Sequence, residues 1–106
     1  GADEMMRLPG PDGRLMHAAI RVNSAMVMMQ DEYLEMGGHS PLALGGSPVT
    51  LHVMVDDADA VAAKAVAAGA EIVMPVADQF WGDRYAQLKD PYGHNWSIGA
   101  PKAEAA

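Results

Sequence analysis

His52 is the residue best placed to do chemistry. It sits in the β-branched run 49–55 (VTLHVMV), two residues after Thr50, so an extended chain sends both side chains to one face. An imidazole there reads as a polar cleft residue or a hydrogen-bonded core histidine, with a metal ligand, alone or together with His17, as the sharper alternative. Gln87, in the run 84–89, and His17, in the run 14–22, are polar groups at mid-strand. They either line a cavity wall or face solvent and pair with backbone. Trp81 and Arg84 lie in and beside the loop 79–82. A guanidinium can clamp an anionic group and an indole can stack on a planar one. The alternative for both is structural: an Asp83–Arg84 bridge with Trp81 as a plug. His94 follows a turn glycine and reads as structural.

The composition narrows the chemistry further. Among 106 residues there is no cysteine, which removes disulfides, thiolate–zinc sites, iron–sulfur clusters and thiol catalysis. The net charge of −7 provides no basic stripe for a nucleic-acid backbone and is repelled by an anionic membrane surface. No apolar run reaches the length of a membrane span, and no basic start precedes an apolar signal segment. A cytoplasmic protein is the expectation. P-loop, dinucleotide-glycine, His-Glu-x-x-His and Gly-x-Ser-x-Gly patterns are all missing.

One domain must position these residues, since the chain is long enough for a single packed core. Residues 57–68 are predicted helical. Asp56, Asp57 and Asp59 favour the helix start, Val61, Ala65 and Ala68 make a stripe, and Gly69 stops it. The runs 49–55, 71–76, 84–89 and 95–98 read as strands, with Asp90-Pro91-Tyr92-Gly93 as a turn. This makes β-α-β-β-β over 49–100. The first part reads as strands 3–8, 14–22 and 25–30, and a flexible connector 37–48 follows, rich in glycine. The acids Asp31, Glu32 and Glu35 look like solvated connector. Of the nine methionines, seven fall in 1–36. Met26 and Met28 point to one face of their strand, where thioethers fill irregular apolar space.

The two parts match one another. Gly1-Ala2-Asp3-Glu4-Met5-Met6 parallels Gly69-Ala70-Glu71-Ile72-Val73-Met74, Gly13-Arg14 parallels Asp83-Arg84, and His17 parallels Gln87. The first copy (1–36) is expected to lack the strand and helix that precede Gly69 in the second. Its open edge beside 25–30 is expected to be covered by a partner chain or by the connector.

Phe80-Trp81-Gly82-Asp83-Arg84-Tyr85, followed by Leu88-Lys89-Asp90-Pro91-Tyr92-Gly93-His94-Asn95-Trp96, resembles the C-terminal signature of the glyoxalase/bleomycin-resistance/dioxygenase (vicinal oxygen chelate) superfamily, closest to its PhnB-like branch. The stretches from Leu8 to His17, 55–61 and 67–70 share the likeness. It implies an α+β fold of paired βαβββ modules in a curled mixed sheet around a small-molecule site, here without the first strand and helix of module 1, and it implies a homodimer. Metal-using members carry ligands on the first and last strands of each module. The resemblance puts Met28, Thr50 and Ser97 at three of those positions, with His52 two residues on from Thr50. Thioether and hydroxyl donors suit hard divalent cations poorly, so no metal centre and no other cofactor are expected.

The expected function is therefore small-molecule binding, with Met28, Thr50, His52, Trp81, Arg84, Gln87, Ser97 and His17 as ligand contacts and an organic ligand as partner. The alternative is a metal-dependent lyase, isomerase or dioxygenase of the same superfamily using a shifted site around His52. Whether the protein is an enzyme is open at this point.

Overall fold

The computed structural model describes residues 2–102. It is a mixed α+β chain dominated by strands, and its contacts divide it into two compact units, one up to Ser40 and one from Pro41.

In the first unit β1 (Asp3–Pro9), β2 (Leu15–Val22) and β3 (Ala25–Met29) form an antiparallel sheet in that order. Gly13, at φ +87°, closes the first turn, and Asn23, at φ +55°, closes the second; glycine and asparagine tolerate this left-handed region best. Only Ala18 and Ala19 of these strands are buried among the described residues. His17 and Ala19 share a face by alternation, and Met28 pairs with Ala19, so His17 and Met28 share it too. Among the described residues no strand pairs with the outer edge of β3.

The second unit contains α1 (Pro41–Leu44), β4 (Thr50–Met54), α2 (Ala58–Ala67), β5 (Glu71–Asp78), β6 (Asp83–Lys89) and β7 (Asn95–Pro101). Its sheet runs β4-β7-β6-β5, with β4 parallel to β7 and the other pairs antiparallel. The helix starts where the Asp57 carboxylate accepts from the Ala60 amide at 3.1 Å. It ends as Gly69 turns to φ +112° and donates to the Val66 carbonyl. Ala58 and Ala62 of the helix pack on Ala86, Leu88, Ile98 and Ala100 of the sheet. Alanines on both sides let helix and sheet approach closely, and Leu88 and Ile98 supply the bulk, each roughly 1.5–3 kcal/mol of burial. The buried line is thus Ala58–Ala62, flanked by Val61 and Ala65; Ala68 of the expected stripe is the exposed C-cap.

Asp90 organises the β6–β7 turn. One carboxylate oxygen accepts from the Tyr92 and His94 amides at 2.9 and 3.0 Å, and the other from the Trp96 indole at 2.9 Å. Gly93 occupies φ +88°, as the Pro-second, Gly-last pattern requires.

Two expectations need correction. The connector 37–48 is not simply flexible: Gly38 bridges to Tyr33, and Pro41–Leu44 is a helical turn. Proline at a first helical position is pre-organised for this. The acids Asp31, Glu32 and Glu35 are not merely solvated. Asp31 accepts from the Leu15 amide at 2.6 Å, Glu32 from the Ser40 amide at 2.9 Å, and Glu35 pairs with Arg14. Carboxylates here satisfy backbone donors that no strand pairs.

Candidate functional site

Strand pairing in the second unit aligns side chains in rows on the sheet face opposite α2. Thr50 stands beside Asn95. His52 stands beside Ser97, Ser97 beside Gln87, and Gln87 beside Met74. Met54 stands beside Gly99, and Gly99 beside Tyr85. Four of the expected residues (Thr50, His52, Gln87 and Ser97) are therefore neighbours on one open face. Tyr85, Met54 and Gly99 complete it. They carry no motif, and alternation alone finds them, two residues from Gln87, His52 and Ser97 respectively.

His52 is the centre of the contacts. Its Nδ1 lies 2.7 Å from Ser97 Oγ, and Ser97 is only 2% exposed. Its Nε2 lies 3.1 Å from Met54 Sδ. The Tyr85 ring stacks on the imidazole at 6.1 Å between centroids and 26° between planes. The Gln87 amide donates to the Tyr85 hydroxyl at 3.1 Å. Trp81 meets Tyr85 edge-on at 5.5 Å, and Phe80 meets Trp81 edge-on at 5.1 Å. An aromatic ladder thus runs from the exposed loop to the imidazole. The Trp81 indole donates to Asp83 at 3.1 Å, which fixes its orientation. This surface can hold a planar group against aromatic rings and satisfy its polar edge with neutral donors and acceptors.

Arg84 is not part of this face. It pairs with Ala100 of the core side, and its guanidinium reaches Asp59 of α2 at 2.8 and 2.9 Å and Asp78 of β5 at 2.9 Å. The expected Asp83–Arg84 bridge is absent from the described ion pairs, because adjacent strand residues project to opposite faces. Asp59, then Asp78, hold the guanidinium above its ordinary range, and Arg84 in turn holds Asp59 below the usual carboxylate value. Arg14, its repeat partner, is braced the same way in the first unit. It pairs with Asp12 and Glu35, donates to the Glu32 carbonyl, and lies 3.9 Å over the Tyr33 ring. Hydrogen bonds from Arg14 hold Glu35 and Asp12 low.

A cleft of about 470 Å³ in the first unit is lined by Met16, Gln30, Tyr33, Met36, Gly37 and Gly38. It contains none of the expected contacts. His17 and Met28 lie instead on one face of that unit's sheet.

A hard divalent cation wants carboxylate and imidazole together. Around His52 the reachable donors are a hydroxyl and a thioether, and among the described residues no three His, Cys, Asp or Glu side chains converge. This donor set does not fit the metal that the family resemblance implies.

The model of the Glyoxalase/Bleomycin resistance protein/Dioxygenase superfamily matches residues 2–98. An uncharacterized protein of Mycobacterium bovis is 51% identical over 97% of the chain, and one of Mycobacterium tuberculosis equally so. The chain spans 70% of the first relative's length and 62% of the second's. The PhnB protein from Bacillus cereus shares the fold at TM-score 0.68 and 20% identity, covering 93% of this chain and 79% of its own. TnmS3, an antibiotic binding protein from Streptomyces sp. CB03234, superposes at TM-score 0.65 with 25% identity, over 96% of this chain and 77% of its own.

Proposed function

Because the chain belongs to the Glyoxalase/Bleomycin resistance protein/Dioxygenase superfamily, we propose that it binds a small organic molecule on the open face of its four-stranded sheet, without the family's hard-cation centre. The observation that carries this reading is the neutral row His52–Ser97–Gln87 backed by the Tyr85–Trp81–Phe80 ladder. Such a surface rewards a ligand with a planar apolar body and a few hydrogen-bonding atoms. Thr50, His52 and Gln87 act as polar anchors, Ser97 orients the imidazole from beneath, and Trp81 supplies the stacking surface. His17 and Met28 are proposed as ligand contacts of the first unit's own sheet face, which they share. Arg84 braces the fold, since both of its carboxylate partners already engage it. The antibiotic binding stated for TnmS3 agrees with this class of ligand.

On the same reading the protein self-associates as a homodimer and works in the cytoplasm. Light scattering tests the first point and fractionation of the source cells the second.

Fluorescence tests the binding. Trp81 is the reporter in a Trp96→Phe background, titrated with a panel of planar aromatic antibiotics. Saturable quenching is expected, weakened by His52→Ala and by Tyr85→Leu. Quenching that ignores both substitutions sinks the assignment. Calorimetry with Ni(II), Mn(II) and Zn(II) addresses the enzymatic alternative: micromolar binding that vanishes in His52→Ala would favour a metal-dependent lyase, isomerase or dioxygenase.

A further inference from the structure

The contact between His52 and Met54 has the form of a chelate. The residues are two apart on β4, so both side chains leave the same face. They converge until Nε2 and Sδ are 3.1 Å apart. Gly99, beside them on β7, keeps the space between them clear. A Cβ there would sit 2.9 Å from Met54 Sδ and 3.0 and 3.2 Å from His52 Cε1 and Nε2. Any side chain at 99 would push the pair apart. Behind the ring, the buried Ser97 hydroxyl engages Nδ1 at 2.7 Å.

The geometry points to a binding site for a soft monovalent cation, Cu(I) or Ag(I), held by His52 Nε2 and Met54 Sδ. Thioether sulfur and neutral imidazole are the donors such ions favour, and among the described residues no carboxylate pairs with His52 to attract a hard cation instead. With bonds the length of those in zinc sites, roughly 2.0 Å to nitrogen and 2.3 Å to sulfur, the 3.1 Å separation would give a bent bite of about 90°, leaving the remaining coordination to water or an exogenous ligand. The outer side of the ion stays open, and Met54 is 45% exposed, so an ion can enter from solvent.

Ser97 makes the ring adaptable. A neutral imidazole carries one proton. Without the ion, Nε2–H donates to the Met54 sulfur and the Ser97 hydroxyl donates to Nδ1. With the ion on Nε2, the proton resides on Nδ1 and Ser97 Oγ accepts it. Binding therefore moves the ring proton from one nitrogen to the other and rotates one hydroxyl, with no net proton released. An outer hydrogen bond of this kind commonly fixes a ligating histidine. The site shares His52 with the organic-ligand face, but its second donor, the Met54 thioether, is not among the anchors assigned there.

The test uses the whole chain and the metals alone. Under anaerobic conditions Cu(I) is titrated against a chromogenic Cu(I) chelator, and Ag(I) is titrated while the methionine methyl spectrum is recorded. One Cu(I) per chain is expected, with affinity lowered about tenfold or more by Met54→Leu, His52→Phe and Gly99→Ala. Met36→Leu and Met5→Leu should leave it unchanged, although both methionines are exposed. The Met54 methyl should shift first with Ag(I). An affinity in Met54→Leu within about twofold of the parent overturns the proposal. So does an Ag(I) titration in which other methyls move before Met54. That spectrum is taken on the unsubstituted chain, so it decides even if a variant fails to fold. Failure of the antibiotic titration has no bearing on either readout.

Discussion

Gly99→Ala isolates the arrangement of the open face better than any substitution of the polar residues themselves. The glycine has no positive φ, so alanine fits the backbone. All of the strain falls on the neighbours. The new Cβ would lie 2.9 Å from Met54 Sδ, against an ordinary contact of roughly 3.5–4.0 Å, so the pair must retreat by about half an ångström or more. Met54 can rotate away. His52 cannot retreat without stretching its 2.7 Å contact to Ser97 and its stacking on Tyr85. A typical hydrogen bond contributes about 1 kcal/mol and an aromatic pair about 0.5–1.5 kcal/mol. Alanine in a strand returns roughly 0.5–1 kcal/mol through the unfolded chain. A net loss of about 1 kcal/mol follows, read as a lower urea midpoint at unchanged slope. Proton NMR should show the His52 ring resonances and their contacts to Tyr85 displaced. A variant at least as stable as the parent, with those resonances unmoved, would refute the close-approach reasoning.

Other expectations concern the frame. Ile98→Ala, in the core beneath α2, should cost about 2–5 kcal/mol by urea unfolding, because a bulky side chain is removed from a helix–sheet contact otherwise made largely of alanine. Asp57→Ala should cost about 1 kcal/mol and reduce helical circular dichroism near the melting transition, since the Ala60 amide loses its acceptor. Acid should weaken the fold through Asp59. Arg84 holds its folded value below the ordinary 3.8, so its contribution is complete above that value and is withdrawn as pH falls through the depressed one. Melting temperatures measured from pH 7 down to pH 3 should therefore decline less steeply in Arg84→Met than in the parent. A parallel decline would remove Arg84 from the acid response.

The strand pattern was legible because alternation and turn chemistry are local. Every strand from 49 onward and the helix fall within a few residues of their expected limits, and Asp57 is the cap. The row Thr50, His52, Ser97, Gln87 was legible only in part. Alternation tells which face a residue takes within one strand, but the row depends on β4 adding in parallel beside β7, a non-local pairing. Tyr85 illustrates the gap: its ring matters because β6 lies one strand from β7, which no short motif records. Arg84 illustrates a different one. Its neighbour Asp83 is near in sequence but faces away, whereas Asp59 is 25 positions distant and within reach. Charge complementarity over that range cannot be ranked without the fold. The acids after β3 read as solvent-facing because nothing local announces which backbone amides need them.

The ions of the second unit also have a geography. Arg84 and its carboxylates sit on the helix side of the sheet, while His52, Ser97 and Gln87 occupy the middle of the other side. Raising the salt concentration therefore screens the Arg84 cluster and acts less on the middle of the other side, whose ions, Asp83 and Lys89, stand at its margins. Brine becomes a selective reagent, softening the scaffold by degrees while sparing whatever the far surface grips, and an engineer could rewrite that surface without re-tuning the ionic staples behind it.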